Sequence, residues 1–169
     1  LLKNRNLPES HLEKFKLSDR LHDPELLEDM GKAVDRVLSA MKKNEKIAIY
    51  GDYDVDGVIS TVLMVKLFEK LNYPVIYFLP DREKEGYGLK IQGVKQAIAQ
   101  KVDLLITVDN GISSNDAIKF ANEEELDVIV TDNHLQEGEL PEAYAVINPN
   151  RTDSAYPFMR YMIGDVRDK

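Results

Sequence analysis

Ile47-Ala48-Ile49-Tyr50-Gly51-Asp52-Tyr53-Asp54-Val55-Asp56-Gly57 is the stretch from which the fold of this chain is read. The four apolar residues at its start form a short continuous run, the pattern of a strand buried on both faces rather than one with a solvated side. The strand runs into Gly51 and three aspartates at alternate positions, closed by Gly57. Everything outward from this stretch repeats the same rhythm of short apolar run, polar turn and longer segment.

Val75 to Leu79, Leu104 to Val108, Val128 to Thr131 and Ala145 to Ile147 read as further strands. The segments between them are long enough for helices, one of them starting near Leu89. This alternation predicts an α/β fold: a doubly wound, mainly parallel sheet of about five strands with helices on both faces. A helix precedes the sheet. Asp23 is its expected N-cap and Pro24 its first residue, followed by Leu26, Leu27, Met30, Val34, Val37, Leu38 and Met41 at helical spacing, ending in Lys42-Lys43. Residues 1–22 show little periodicity and read as a leader, 23–150 as the domain, and 151–169 as a linker or the truncated start of a next element.

With 169 residues, 43% hydrophobic and 31% charged, the chain has the composition of one globular domain. It has no cysteine. Disulfides, zinc-thiolate sites and thiol nucleophiles are therefore excluded, and a reducing cytoplasm is the expected location. No stretch resembles a signal peptide or is apolar for long enough to span a bilayer. The net charge of −8 argues against holding nucleic acid by phosphate neutralisation alone. A nucleic-acid substrate would need positive charge from bound divalent cations or from a basic partner domain.

In open α/β sheets ligands sit beyond the carboxyl ends of the strands. The first strand delivers Asp52, Asp54 and Asp56 there, the third ends at Asp109-Asn110-Gly111, and the fourth at Thr131-Asp132-Asn133-His134. Carboxylates so close repel one another unless a cation is bound, so the set makes chemical sense as a metal site. Oxygen ligands with an imidazole suit Mg²⁺ or Mn²⁺, the histidine favouring Mn²⁺. Such carboxylate-bound ions hydrolyse phosphoesters, and metal-assisted hydrolysis is the inferred reaction class.

Each element has a plainer reading when taken alone. Asp56-Gly57 can be a turn, Asp109-Asn110 a helix N-cap, and His134 a loop histidine like His11 and His22. Three strand ends converging on one edge favour the site. The connection Pro80-Asp81-Arg82-Glu83-Lys84-Glu85-Gly86-Tyr87-Gly88 leaves the same edge. It can be a surface turn, or Arg82 can take a phosphate while the glycines let backbone approach substrate. Asp54-Val55-Asp56-Gly57-Val58 also fits the nucleophile motif of haloacid dehalogenase-type phosphatases, with Asp54 attacking. A phospho-receiver with Asp109 as acceptor is a further reading. Each of these two expects a lysine that the chain does not offer in place.

Gly51 to Gly57 with Val58-Ile59-Ser60-Thr61, then Thr107-Val108-Asp109-Asn110-Gly111-Ile112, then Thr131-Asp132-Asn133-His134 resemble the first three motifs of the DHH phosphoesterases. Arg82, Glu85-Gly86-Tyr87-Gly88 and Ile147-Asn148-Pro149 are similar to the RecJ-like branch, which degrades single-stranded DNA from 5′ to 3′. The likeness runs from about residue 1 to 158. It implies a metal-dependent exonuclease in which Asp52, Asp54 and Asp56 supply ligands and Asp109 bridges two Mn²⁺ or Mg²⁺ ions. Asp109, Asp132 and His134 would carry the catalysis, and Arg82, Gly86, Tyr87 and His134 would meet the substrate. One departure stands out: the family's Asp-His-His reads Asp132-Asn133-His134, so Asn133 stands where a metal-binding imidazole is expected. A neutral amide coordinates weakly, which implies a weakened second metal site and impaired hydrolysis. The family's fourth acidic motif and its C-terminal domains are not found here, so single-stranded DNA binding is expected to need them. A catalytically inactive DHH-fold binding module is the alternative.

Overall fold

The computed structural model describes residues 23–81 and 86–157. The leader over 1–22, Arg82 and the stretch from 158 lie outside the described residues. The apolar runs become strands where the sequence pattern puts them: β1 (Ile47–Tyr50), β2 (Val75–Phe78), β3 (Leu104–Val108), β4 (Asp127–Thr131) and β5 (Ala145–Ile147). Helix α1 (Met30–Lys43) precedes them, and α2 (Val55–Lys70), α3 (Ile91–Ala99) and α4 (Asn115–Glu123) follow β1, β2 and β3.

The strands form one five-stranded sheet in the order β2-β1-β3-β4-β5, parallel at every pairing. This is the predicted doubly wound architecture. Successive residues of β1 point to opposite faces: Ile47 and Ile49 pack with Ala33, Ala40 and Phe68 of α1 and α2, while Ala48 and Tyr50 pack with Val94, Ala97 and Ile118 of α3 and α4. The direction in which successive strands are added to the sheet switches between β1 and β3, and the carboxyl ends of these two strands open the crevice where such sheets bind ligands.

Two expectations are corrected. Asp23 does cap a helix with Pro24 in its first turn, but only a 3₁₀ turn over Pro24–Leu26. The long helix starts at Met30, after Asp29 in a left-handed conformation at φ 61°. The Asp29 carboxylate accepts hydrogen bonds from the Val146 amide at 3.0 Å and from Arg151 at 3.0 Å. A contact with the far end of the chain therefore resets where the helix begins. Secondly, the segment between β4 and β5 contains no helix. Gly138 at φ 84° and Pro141 interrupt it, and its residues are drawn into loop hydrogen bonds instead.

Opposite ends of the sheet differ in character. The amino-terminal edge is held by ion pairs, Arg36 with Glu45 at 2.7 Å and with Asp127 at 2.6 Å, and by the Lys46 amide on Asp103 at 2.7 Å. The carboxyl edge collects the acids and His134. Among the described residues no helix is long and apolar enough to cross a membrane.

Helix α2 is pressed against the turn that carries Asp52. Asp54 caps it, its Oδ1 accepting from the Gly57 amide at 3.0 Å. A Cβ on Gly57 would lie 2.6 Å from the Asp52 nitrogen and 2.7 Å from its Cα. Two effects of opposite sign compete in Gly57→Ala: helix propensity gains about 0.5–1 kcal/mol, and overpacking against backbone costs about 1–3 kcal/mol. Backbone does not swing aside as a side-chain tip would, so overpacking wins. Chemical denaturation should show a net loss of stability, and a stabilised variant would refute the close approach.

Candidate metal centre

Asp52 follows β1 at the crevice and is fully buried. Both of its carboxylate oxygens lack a hydrogen-bond partner of good geometry. Burial pushes its pKa up, and the Asp54 charge pushes it further; the backbone N–H groups of Tyr53 and Gly88 only moderate the rise. An interior carboxylate short of well-aligned donors is costly, and a cation at this point would remove the cost.

Asp109 leaves β3 in a left-handed conformation at φ 61°, its amide donating to the Thr131 carbonyl of β4 at 3.0 Å. Asparagine and aspartate tolerate this region better than most residues. Gly111 completes the turn at φ 116°, where a Cβ would meet Thr107 Oγ1 at 2.7 Å. Burial raises the Asp109 pKa to about 6, with Asp54 adding to the rise and His134 and the Asn133 amide opposing it. The turn is also tied by Asn110, whose side-chain nitrogen donates to the carbonyls of Val108 and Tyr50 at 2.9 and 3.2 Å. No motif marks this role of Asn110, which joins β3 to β1 directly below the acids.

Asp132 differs in kind from Asp52. Its Oδ1 accepts from the amides of Asn133 and His134 and lies 2.7 Å from His134 Nδ1, while its Oδ2 accepts from the Ile112 amide at 2.9 Å. These bonds make it the anchor of its own loop. His134 is pulled down in pKa by partial burial, but its hydrogen bond and charge pairing with Asp132, with Asp109 and Asp54 behind, raise it overall. The Tyr87 hydroxyl sits 2.8 Å from His134 Nδ1 and 3.2 Å from Nε2, with the two rings edge to face. Burial and the surrounding aspartates raise the Tyr87 pKa, so the phenol stays protonated.

Ligand-type atoms of Asp109, Asp132 and His134 lie within 4.8 Å of one another. Asn133 directs its side-chain nitrogen to Asp109 Oδ1 at 2.9 Å. The amide therefore faces the acid that a metal would occupy, and a flip of its end would present oxygen there. Asp54 stands at the α2 N-cap, close enough to influence Asp52, Asp109 and His134. Asp56 stands apart, exposed in the first turn of α2. Gly86 and Gly88 flank Tyr87 at φ 72° and 75°.

The donor set fits a hard divalent cation: an orphaned buried carboxylate, a second carboxylate with a raised pKa, and an imidazole beside them. Asp109, Asp132 and His134 would hold it, with Asp52 and Asp54 next to them and Asn133 as a weak neutral ligand. Two clefts flank these residues. One of about 350 Å³ has apolar walls that include Leu63, Met64 and Pro149, and reaches Asp109 and Asn133. The other, of about 410 Å³, is lined by Tyr87, Lys90, Ser113, Ser114 and His134.

The pKa of Asp109 gives metal binding a pH dependence. Its folded value, about 6, lies above the ordinary 3.8. In the metal-free chain the favourable contribution of its protonated form is present below 3.8 and lost as pH rises through about 6. Metal binds the ionised Asp109 and the neutral His134, so Mn²⁺ affinity should climb as pH rises through 6 and go on climbing until the imidazole, whose own pKa is raised, has lost its proton. Calorimetry in buffers of different ionisation heat should record proton release below pH 6; affinity independent of pH from 5 to 7 would contradict this.

A family model described as the DHH family, N-terminal domain, matches residues 46–157. The chain is 43% identical over 137 residues to the single-stranded-DNA-specific exonuclease RecJ of Bacillus subtilis, covering 81% of this chain and 17% of that protein. It is 40% identical over 152 residues to the RecJ of Haemophilus influenzae, covering 87% of this chain and 26% of that protein. The crystal structure of an exonuclease RecJ bound to manganese superposes with a TM-score of 0.69 at 31% identity, over 75% of this chain and 32% of that one. The chain thus spans about a quarter or less of the curated relatives it matches.

Proposed function

This chain belongs to the DHH family, and from that premise we propose that it is the metal-binding domain of a single-stranded-DNA-specific exonuclease, cleaving phosphodiester bonds with Mn²⁺ or Mg²⁺. The observation that carries the reading is the fully buried Asp52 carboxylate, short of well-aligned donors, after β1 and next to the β3 end that carries Asp109. When bound, the ions supply an activated water and charge stabilisation for in-line displacement. The side chains prepare the rest. Asp132 accepts from His134 Nδ1, which fixes the ring and leaves Nε2, 3.2 Å from the Tyr87 hydroxyl, as the nitrogen that can turn its lone pair to the metal. The apolar cleft suits a base and the cleft with Lys90, Ser113 and Ser114 suits the phosphate side of a nucleotide.

Asn133 weakens the second metal position and therefore turnover. The test is Mn²⁺-dependent release of mononucleotides from 5′-phosphorylated single-stranded DNA, by the longest natural chain containing this sequence. Binding of Mn²⁺ and DNA without release, in the natural form and in Asn133→His, would favour a binding module instead. A chain that binds no Mn²⁺ would overturn the proposal. This chain alone should bind single-stranded DNA weakly, because its net charge of −8 repels phosphates. Tight, salt-sensitive binding in fluorescence anisotropy would contradict that expectation.

A further inference from the structure

The loop that carries Asn133 and His134 leaves β4 without entering a helix, so its backbone groups need partners from elsewhere. Its amides are answered locally, since Asn133 N and His134 N both donate to Asp132 Oδ1. Its carbonyls are answered from the turn after β5. Asn148 Nδ2 donates to the His134 carbonyl at 2.9 Å, and Asn150 Nδ2 donates to the Asn133 carbonyl. Further along, the Thr152 amide donates to Gln136 Oε1 at 3.0 Å.

The turn that offers these donors is itself rigid. Asn148 Oδ1 accepts from the Asn150 amide at 2.7 Å across Pro149, and the Arg151 amide closes on the Asn148 carbonyl. Arg151, 7% exposed, pins the turn to the rest of the fold: it donates to the Val146 carbonyl at 2.7 Å and pairs with Asp29 at 3.0 Å and Asp153 at 2.7 Å. Glu28 holds the next residues through Ser154 Oγ and the Ala155 amide. Two side-chain donors on one immobilised turn thus grip the carbonyls of the two residues that face Asp109 and Asp132.

We propose that Asn148 and Asn150 are positioning residues for the metal-binding loop, setting the peptide planes from which Asn133 and His134 reach the metal. The inference rests on the metal-site reading above and adds to it a device outside the three motifs. Groups that orient metal ligands from behind typically change affinity by about 10–100-fold when removed. A purely structural role would instead show itself as lost stability.

Asn150 is only partly buried, so Asn150→Ala is the primary variant, with Asn148→Ala as the stronger lesion. Calorimetric Mn²⁺ affinity of this chain should fall about tenfold in Asn150→Ala, while melting in chelator stays near that of the parent. Asn150→Gln, which keeps an amide donor, should recover part of the loss. Independently of metal, hydrogen exchange in chelator should show the Asn133 and His134 amides losing protection while β4 amides keep theirs. Unchanged Mn²⁺ affinity and unchanged exchange in both alanine variants would overturn the inference while leaving the metal site intact. An unmutated chain that binds no Mn²⁺ would overturn the metal reading, and this inference with it.

Discussion

Mn²⁺ binding is expected to collapse in Asp109→Asn, with affinity falling by more than about 100-fold, beyond the range seen when only a supporting group is removed. Asparagine is the right replacement because residue 109 sits at φ 61°, which asparagine accepts and alanine does not. The swap keeps shape and removes charge. The accompanying stability change should have the opposite sign to that of a damaged core. Asp109 is ionised above pH 6 against burial and the Asp54 charge. Removing that ionisation should raise the melting temperature of the metal-free chain at pH 8, while Mn²⁺ no longer raises it further. Calorimetry and thermal melts with and without Mn²⁺ check both halves. Parental Mn²⁺ affinity in the variant would remove Asp109 from the centre of the site.

The second large effect is a gain. Asn133 offers a neutral amide whose nitrogen presently donates to Asp109 Oδ1. An imidazole in its place would supply a lone pair aimed at the same carboxylate-lined space. Asn133→His should therefore change Mn²⁺ stoichiometry from about one ion to about two, since a histidine nitrogen is a far better ligand than an amide. Paired ions stabilise transition-state charge by several kcal/mol, so nucleotide release in the longest natural chain should rise about a hundredfold or more. Folding should hardly respond, because residue 133 is a half-buried loop position outside both core clusters. Stoichiometry by native mass spectrometry and nucleotide release by chromatography provide the comparison. Equal values in the two forms would show that position 133 holds no ligand.

Much of the architecture was legible because β1, β3 and β4 are apolar runs between polar turns that alternate with helix-length segments, a pattern that suits a doubly covered parallel sheet. The convergence of Asp52, Asp109 and Asp132 was legible for the same reason: parallel strands end on one edge. What the pattern misjudges is non-local or conformational. Alternation at 52, 54 and 56 suggests one shared face, but the period of two ends with the strand at Tyr50, and helical winding from Val55 turns Asp56 outward. Asp132 stands in the expected group with Asp109 and His134, but that its oxygens also accept from the Asn133, His134 and Ile112 amides has no local signal. Neither the start of α1 at Met30 nor the grip of Asn150 on the Asn133 carbonyl has a local signal. Each depends on groups that meet only when β5 docks.

The separation between the two ends of the sheet has a bearing on how such a chain drifts. Ion pairs among Arg36, Glu45 and Asp127 brace one edge, and the acids with His134 occupy the other. Removing a partner of the mostly buried Arg36 lowers stability and with it the folded population, which degradation then depletes. A change at 133 leaves the folded population untouched, so quality control has nothing to detect. Purging a silenced copy falls to selection on the reaction alone, and where that selection relaxes, a chain can keep its fold while its chemistry lapses.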